Sequence, residues 1–293
     1  MERNELKQNS KYNGSCIILT TKHAKSIAIA PPLYKKLGAS VLEYVADTDQ
    51  LGTFSGETER EGSTLECARK KSEWALKKLG KKIQFALASE GSFGPHPFMP
   101  FLPCDRETLY FIDQKRGFHL HLSHLSENTN YRMEALDSLE QVQKFAQDAL
   151  FPSHALILRP CNRESKHPIF KGVDSQSALE EAFRECLKSA SNGKVWVETD
   201  MRAQFNPSRM LVITELAEKL SERLATCCPS CDAPGWGKIG AETGLPCDCC
   251  GLKTEMIKHE IFGCTTCKHK ETHQPSEEKL KGANPQYCSF CNP

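Results

Sequence analysis

No stretch of this sequence approaches the ~20 consecutive apolar residues that a membrane-spanning helix needs. Its first residues, Met1 to Ser15, are polar and carry both signs of charge. They hold neither the apolar run of a signal peptide nor the acid-poor pattern of a transit peptide. An excess of one charge is missing as well. The formal net charge is +1, which leaves no global field to recruit nucleic acid or an anionic membrane. Repeats and low-complexity tracts are absent, as are the Gly-x-Gly-x-x-Gly, P-loop and Gly-x-Ser-x-Gly signatures. These absences predict a cytoplasmic protein with no membrane association.

What is present is an ordinary globular balance, 39% hydrophobic and 26% charged over 293 residues, enough for one large domain or two ordinary ones. Cysteine usage departs from that balance. There are 15 cysteines, and an odd number in a chain this long argues against a disulfide framework. Eight fall into four Cys-x-x-Cys pairs: Cys228 and Cys231, Cys247 and Cys250, Cys264 and Cys267, Cys288 and Cys291. Two intervening residues let both sulfurs of a tight turn face one ion, and two such turns complete a tetrahedron. The spacing therefore predicts two structural zinc ions. Gaps of 15, 13 and 20 residues separate the pairs, which makes sequential pairing the default and leaves interleaved pairing open.

Before the cysteines, strand-like and helix-like segments alternate. Ser15 to Thr20, Val41 to Val45, Ile83 to Ala88, Leu109 to Ile112, Phe118 to Leu122, His154 to Leu158 and Val195 to Thr199 read as strands. Pro31-Pro32 reads as the start of a helix ending at Gly38. Ser63 and Glu66 form a capping box in front of a helix that Gly80 stops. Ser138 to Leu150 and Ser175 to Ser189 are helical, and Asn206-Pro207 opens a helix to Ala225. Polar loops are read around Gly52, Gly56 and Gly62, and from Glu90 to Pro97. The fold class is α/β: a mixed sheet with helices on both faces over residues 12–225, then a small zinc-ribbon module over 226–293.

Three polar clusters follow strand ends, where α/β proteins keep their ligands. Thr20, Lys22 and Lys25 could hold phosphate oxygens, or could form a solvated basic loop. Glu66 could act in catalysis or only cap its helix. Glu90, flanked by glycines and prolines, could bind a hydrated cation such as Mg²⁺ or sit in a plain turn. A fourth cluster, Glu198, Asp200, Arg202, Asn206 and Arg209, is a candidate ligand site or an ion-pair network. His119, His121 and His124 are further candidates, of which His119 and His121 alternate with Phe118, Leu120 and Leu122, as on the wet side of a strand. In the C-terminal module, Ser221 to Pro293 carries 8 Lys+Arg and 9 Asp+Glu. Eight thiolates on two dications bring that segment to about −5, the wrong sign for binding phosphate backbones.

Three runs, Ala88-Ser-Glu-Gly-Ser-Phe-Gly-Pro-His-Pro97, Glu198-Thr-Asp-Met-Arg-Ala203 with Asn206-Pro207, and Cys288-x-x-Cys-Asn-Pro293, resemble an uncharacterised, mainly bacterial domain-of-unknown-function family. About the first ninety residues are also similar to house-cleaning nucleoside triphosphate pyrophosphatases of the inosine-triphosphatase type. Thr20 and Lys25 match their T-x-N-x-x-K motif, with Lys22 in place of the asparagine. Glu66 with Ala68 matches their helix motif and Glu90-Gly91 their acidic turn. That resemblance implies that Lys25 and Lys22 bind a triphosphate, and that Glu66 and Glu90 hold Mg²⁺ and position a water. The function expected is metal-dependent hydrolysis of a nucleotide or related phosphate. The alternative is a non-catalytic zinc-ribbon protein that binds a protein partner of unknown identity or nucleic acid.

Overall fold

The computed structural model describes residues 10–46, 62–160, 169–275 and 282–293. The glycine loop read at Gly52 and Gly56, together with Cys161, lies outside them. The first sheet has the order β2-β1-β3-β4-β5. Its strands are β1 (Cys16–Thr20), β2 (Ser40–Tyr44), β3 (Phe85–Pro95), β4 (Pro103–Asp113) and β5 (Phe118–Ser126). β1, β2 and β3 run parallel, while β4 and β5 return antiparallel. The alternating residues Phe85 and Leu87, and Leu109 and Phe111, lie on one face of this sheet. They bury it against α1 (Ser26–Leu37) and α5 (Pro207–Ala225), which supply Ile29, Leu33 and Leu37 and Ile213, Leu216 and Leu220. Helix α2 (Thr64–Leu79) covers the other face, where Ser72 donates its hydroxyl to the Tyr110 carbonyl at 3.0 Å.

A second sheet, entirely antiparallel, has the order β6-β9-β7-β8. It comprises β6 (Met133–Leu136), β7 (Leu156–Pro160), β8 (Phe170–Val173) and β9 (Val195–Thr199). Val142 and Phe145 of α3 (Leu139–Asp148) and Leu179 and Phe183 of α4 (Gln176–Ser189) pack on it with Leu156, Leu158, Val195 and Val197. The α/β reading thus resolves into two sheets with separate cores. Strand alternation marks which residues are strands, but not which sheet they join.

Local signals account for several boundaries. Ser63 accepts the Glu66 amide while the Glu66 carboxylate accepts the Ser63 amide, the reciprocal box that starts α2. Asn206 accepts the Arg209 amide at 3.0 Å, with Pro207 in the first turn of α5. Helix α1 departs from its expected start. It begins at Ser26 and keeps Pro31 and Pro32 inside, because Ala28, Ile29, Leu33 and Leu37 share a face whose burial outweighs the lost hydrogen bonds. The segment read as a loop from Glu90 to Pro97 is strand as far as Pro95, held by β4 in unbroken register to Pro95↔Pro103. No helix among the described residues is long and apolar enough to cross a membrane.

The C-terminal module is built on a three-stranded antiparallel sheet, β10 (Gly237–Thr243), β11 (Ile257–Gly263) and β12 (Lys270–His273), in that order. Arg223 near the end of α5 joins it to the preceding helix, donating to the carbonyls of Gly235 at 2.7 Å and Lys238 at 2.6 Å.

Leu87 has no exposed surface and lies at the centre of the first core. Leu87→Ala is expected to lower the unfolding free energy by roughly 2–5 kcal/mol. Denaturant titration reads this directly, and a loss below about 1 kcal/mol would mean that the site collapses around the cavity.

Candidate active site and metal-binding module

The chain leaves β1 toward α1 on one face of the first sheet, and leaves β2 toward α2 on the other. Such divergence at the carboxyl ends of parallel strands opens a ligand crevice. β3 runs on past the last residue of β1, Thr20, which pairs with Ala88. Ser89, Glu90 and Gly91 therefore project beyond the parallel strands, and their side chains alternate between the two faces.

Five ionisable groups besides Glu90 surround this end of β3: Lys71 beside Glu90 on the α2 face, and Lys25, Arg209, Asp105 and Glu107 on the opposite face with Ser89 and Gly91. Lys25, at the start of α1, donates to Ser89 Oγ at 3.0 Å and to the Ser89 carbonyl at 3.3 Å. Lys71, from α2, pairs with Glu90 at 2.5 Å. From α5, Arg209 donates Nε to Glu107 Oε1 at 2.6 Å and Nη1 to the Met201 carbonyl, with its guanidinium 5.0 Å from the Phe93 ring centre. Asp105 lies two residues before Glu107 on the same side of β4. All six side chains are buried, and Asp105 and Glu107 have no exposed surface. Gly91 has to be bare, since a Cβ there would fall on Arg209 Nη2 and Glu107 Oε1.

The electrostatics are strained. No donor reaches either oxygen of Asp105, or Oε2 of Glu107. Burial first, then the neighbouring Glu107 charge, pushes the Asp105 carboxyl up to about 8. Burial and then the Arg209 charge bring Lys25 down to about 7, although Glu107 and Glu90 oppose this. On the face that carries Glu90, a groove of about 470 Å³ opens between the start of α2 and the outer ends of β3 and β4. Ser63, Thr64, Ser92, Phe93 and Arg106 line it.

The residues singled out in the sequence divide accordingly. Lys25 and Arg209 lie on the face of β3 that carries Ser89 and Gly91, and Glu90 pairs with Lys71 on the other face. Thr20 is buried at the end of β1, and Lys22 is exposed in the following loop. Glu66 is exposed and bound into its capping box; hydrogen bonds from Ser63 hold its carboxyl below the usual range. Glu198 lies in the second sheet, accepting from Trp196 Nε1 at 3.1 Å and pairing with Arg159 at 3.4 Å. Asp200 grips Arg202 at 2.6 Å and accepts the Gly172 amide at 3.0 Å. Asn206 serves as the cap of α5. Sequence reasoning missed Lys71, Asp105 and Glu107. The acids had a signal: positions 105, 107, 109 and 111 alternate along β4, so the face buried at Leu109 and Phe111 continues as two carboxylates. His119 and His121 stack on Tyr110 at 5.5 and 6.3 Å.

The cysteines form two groups, each able to hold a metal ion: Cys228, Cys231, Cys264 and Cys267, and Cys247, Cys250, Cys288 and Cys291. The pairing is interleaved, which corrects the sequential default. The β10–β11 hairpin explains it. Gly237 pairs with Gly263, bringing the first knuckle to the third at one end of the sheet. The second knuckle emerges at the other end, where Cys247 bridges to Ala283 and meets the fourth. Spacing along the chain does not record this folding back. Sulfur separations across each group are 3.8 and 3.5 Å, and 3.9 and 3.6 Å. A tetrahedron with ~2.3 Å zinc–sulfur bonds has edges of about 3.8 Å. The Thr266 and Cys267 amides donate to Cys264 Sγ at 3.3 Å, and the Cys249 amide to Cys247 Sγ at 3.4 Å.

Among protein families, the one described as Domain of unknown function (DUF6671) matches residues 71–293, from within α2 to the last residue. No curated protein matches the chain.

Two outcomes follow from this geometry. Purified protein is expected to carry two metal ions per chain, and paired substitutions read the connectivity. Cys228→Ser with Cys264→Ser should remove one ion, whereas Cys228→Ser with Cys247→Ser should remove both. Sequential pairing would give the reverse in elemental analysis.

The second outcome concerns Asp105. An unfolded aspartate ionises near pH 4, whereas Asp105 in the fold stays protonated up to about 8. The folded state therefore binds more protons between these values, and stability falls as pH rises through that window. In buffer without divalent ions, Asp105→Asn should melt above the wild type. The gap should widen from pH 5 to 8 by at most about 1.4 kcal/mol per pH unit. A gap that narrows with pH would contradict the assignment.

Proposed function

We propose that this chain, which belongs to the DUF6671 family of domains of unknown function, hydrolyses a phosphate anhydride of nucleotide type in its buried charge cluster and holds zinc in its two four-cysteine groups. One observation carries the hydrolase reading. Lys25, Asp105, Glu107 and Arg209 on one face of the sheet and Lys71 with Glu90 on the other are all withdrawn from water around the end of β3, beyond the parallel strands. Burying charges costs several kcal/mol per ion, and a purely structural contact would be met as well by apolar residues. The sequence resemblance to nucleoside triphosphate pyrophosphatases supports the same chemistry, because Lys25 and Glu90 are the matching residues that enter the cluster.

In this reading Lys25 and Arg209 bind phosphate oxygens and stabilise the charge that spreads over them in the transition state. Glu90, held by Lys71, accepts a proton from water. The water oxygen forms the new bond to phosphorus as the anhydride oxygen departs. A divalent cation such as Mg²⁺ would add charge neutralisation and substrate orientation. The groove beside Ser92 and Arg106 lies on the face of Glu90 and gives a ligand room to approach. Glu66, engaged in its cap, has no part in the chemistry.

For the module, all-thiolate donor sets and tetrahedral sulfur spacing support zinc. Four protein ligands leave no open position, so these ions are structural. With a charge near −5 the module is no reader of nucleic acid.

The test is turnover. Wild-type protein with Mg²⁺ should release phosphate or pyrophosphate from at least one nucleoside triphosphate in a broad panel. Glu90→Gln should lower kcat by about 10²-fold or more, with circular dichroism unchanged. As pH rises through about 7, Lys25 loses its charge and kcat/KM should fall. No turnover across the panel, or turnover indifferent to Glu90→Gln, would remove the assignment.

A further inference from the structure

Asp105 and Glu107 are unusual even within the cluster. Both lie on β4 with no exposed surface, in the register positions opposite Phe93 and Gly91. Arg209 occupies only Oε1 of Glu107. Both oxygens of Asp105 and Oε2 of Glu107 have no donor. Three carboxylate oxygens on one strand face are thus buried with unmet acceptor capacity, which costs far more than leaving them in water.

A single proton shared between the two carboxyls would engage one oxygen of each and leave the second Asp105 oxygen bare. A cation meets all three. From these atoms we infer that Asp105 and Glu107 are the protein ligands of a divalent cation of the magnesium type, distinct from both cysteine groups. Magnesium is commonly held by one or two carboxylates, with waters and substrate phosphates filling the remaining positions. The flanking cations fit that division. Lys25 and Arg209 stand beside the carboxylates, where they would take the phosphate oxygens that the ion leaves. Hard oxygen donors also separate this site chemically from the soft thiolates. The inference deepens the hydrolase reading and rests on it for the use of the ion, but the binding of the ion is measured independently.

The experiment uses the full chain, isolated with its thiolate groups loaded, and titrates it with Mn²⁺ alone. Electron paramagnetic resonance reports the free ion. Wild type should remove one Mn²⁺ per chain from solution at up to millimolar concentration, and Mg²⁺ should compete. Asp105→Asn should weaken that binding at least tenfold while circular dichroism and the content of the cysteine sites stay unchanged. Asp105→Ser provides the same comparison should the amide fold poorly. Glu66→Gln, at an exposed cap, should bind as wild type does. Absence of Mn²⁺ uptake by wild type, or uptake by both Asp105 variants equal to that of wild type, would overturn the inference. Mn²⁺ bound through Asp105 with no nucleotide turnover would leave the site standing and reject the hydrolase. Turnover with uptake indifferent to Asp105 would do the opposite.

Discussion

The contact on which the site depends is the ion pair between Arg209 and Glu107. Among the described residues, Arg209 is the largest fully buried side chain. It reaches from the first turn of α5 into β4, and its second donor takes the Met201 carbonyl just after β9. One guanidinium therefore fastens the strand of one sheet, the exit of the other and the helix between them and the C-terminal module. Removing either partner would leave a buried charge uncompensated, a loss of the order of 3–5 kcal/mol. The surrounding sequence is shaped to this contact. Gly91 is bare where Arg209 and Glu107 sit against β3. Asn206 caps the helix so that Arg209 emerges from its first turn, and Phe93 lies under the guanidinium.

That arrangement has a chemical consequence. Arg209 pairs with Glu107, and Asp105 is left beside it with no donor on its oxygens, although Lys25 and Arg209 lie near. Burial and Glu107 then hold Asp105 neutral where an ordinary aspartate is ionised. Lys25, pressed by burial and by Arg209, is poised near neutrality. Groups whose environments shift their proton affinities this far from the ordinary values are a usual mark of acid–base and ion-binding sites. Structural networks shift these affinities too, so the distinction has to come from what happens when the charges are replaced.

Features that act within a few residues were legible in the sequence. The capping box of α2, the Asn206-Pro207 start of α5 and the turn geometry of each Cys-x-x-Cys pair are local, and each follows from the backbone groups it satisfies. What the sequence did not reveal depends on distant partners. The extension of β3 through Glu90 to Pro95 needs β4 beside it, so the glycines and prolines read as a loop. Lys71 reads as one more helix lysine until β3 brings Glu90 to it. The cysteine pairing follows from a hairpin that reverses the chain, and spacing alone favoured neighbours. The division into two sheets likewise rests on which apolar faces meet, which alternation leaves open. Among the missed residues, Asp105 and Glu107 were within reach, because their alternation with Leu109 and Phe111 places two acids on a buried face.

If the buried charges are kept for function, replacing their central pair with apolar residues should cost activity rather than stability. The most direct measurement is the unfolding free energy and the phosphate release of one variant carrying both Glu107→Leu and Arg209→Met. The expected result is stability within about 2 kcal/mol of wild type with phosphate release abolished. A variant several kcal/mol less stable that still turns over nucleotide would show that the pair holds the fold and not the reaction.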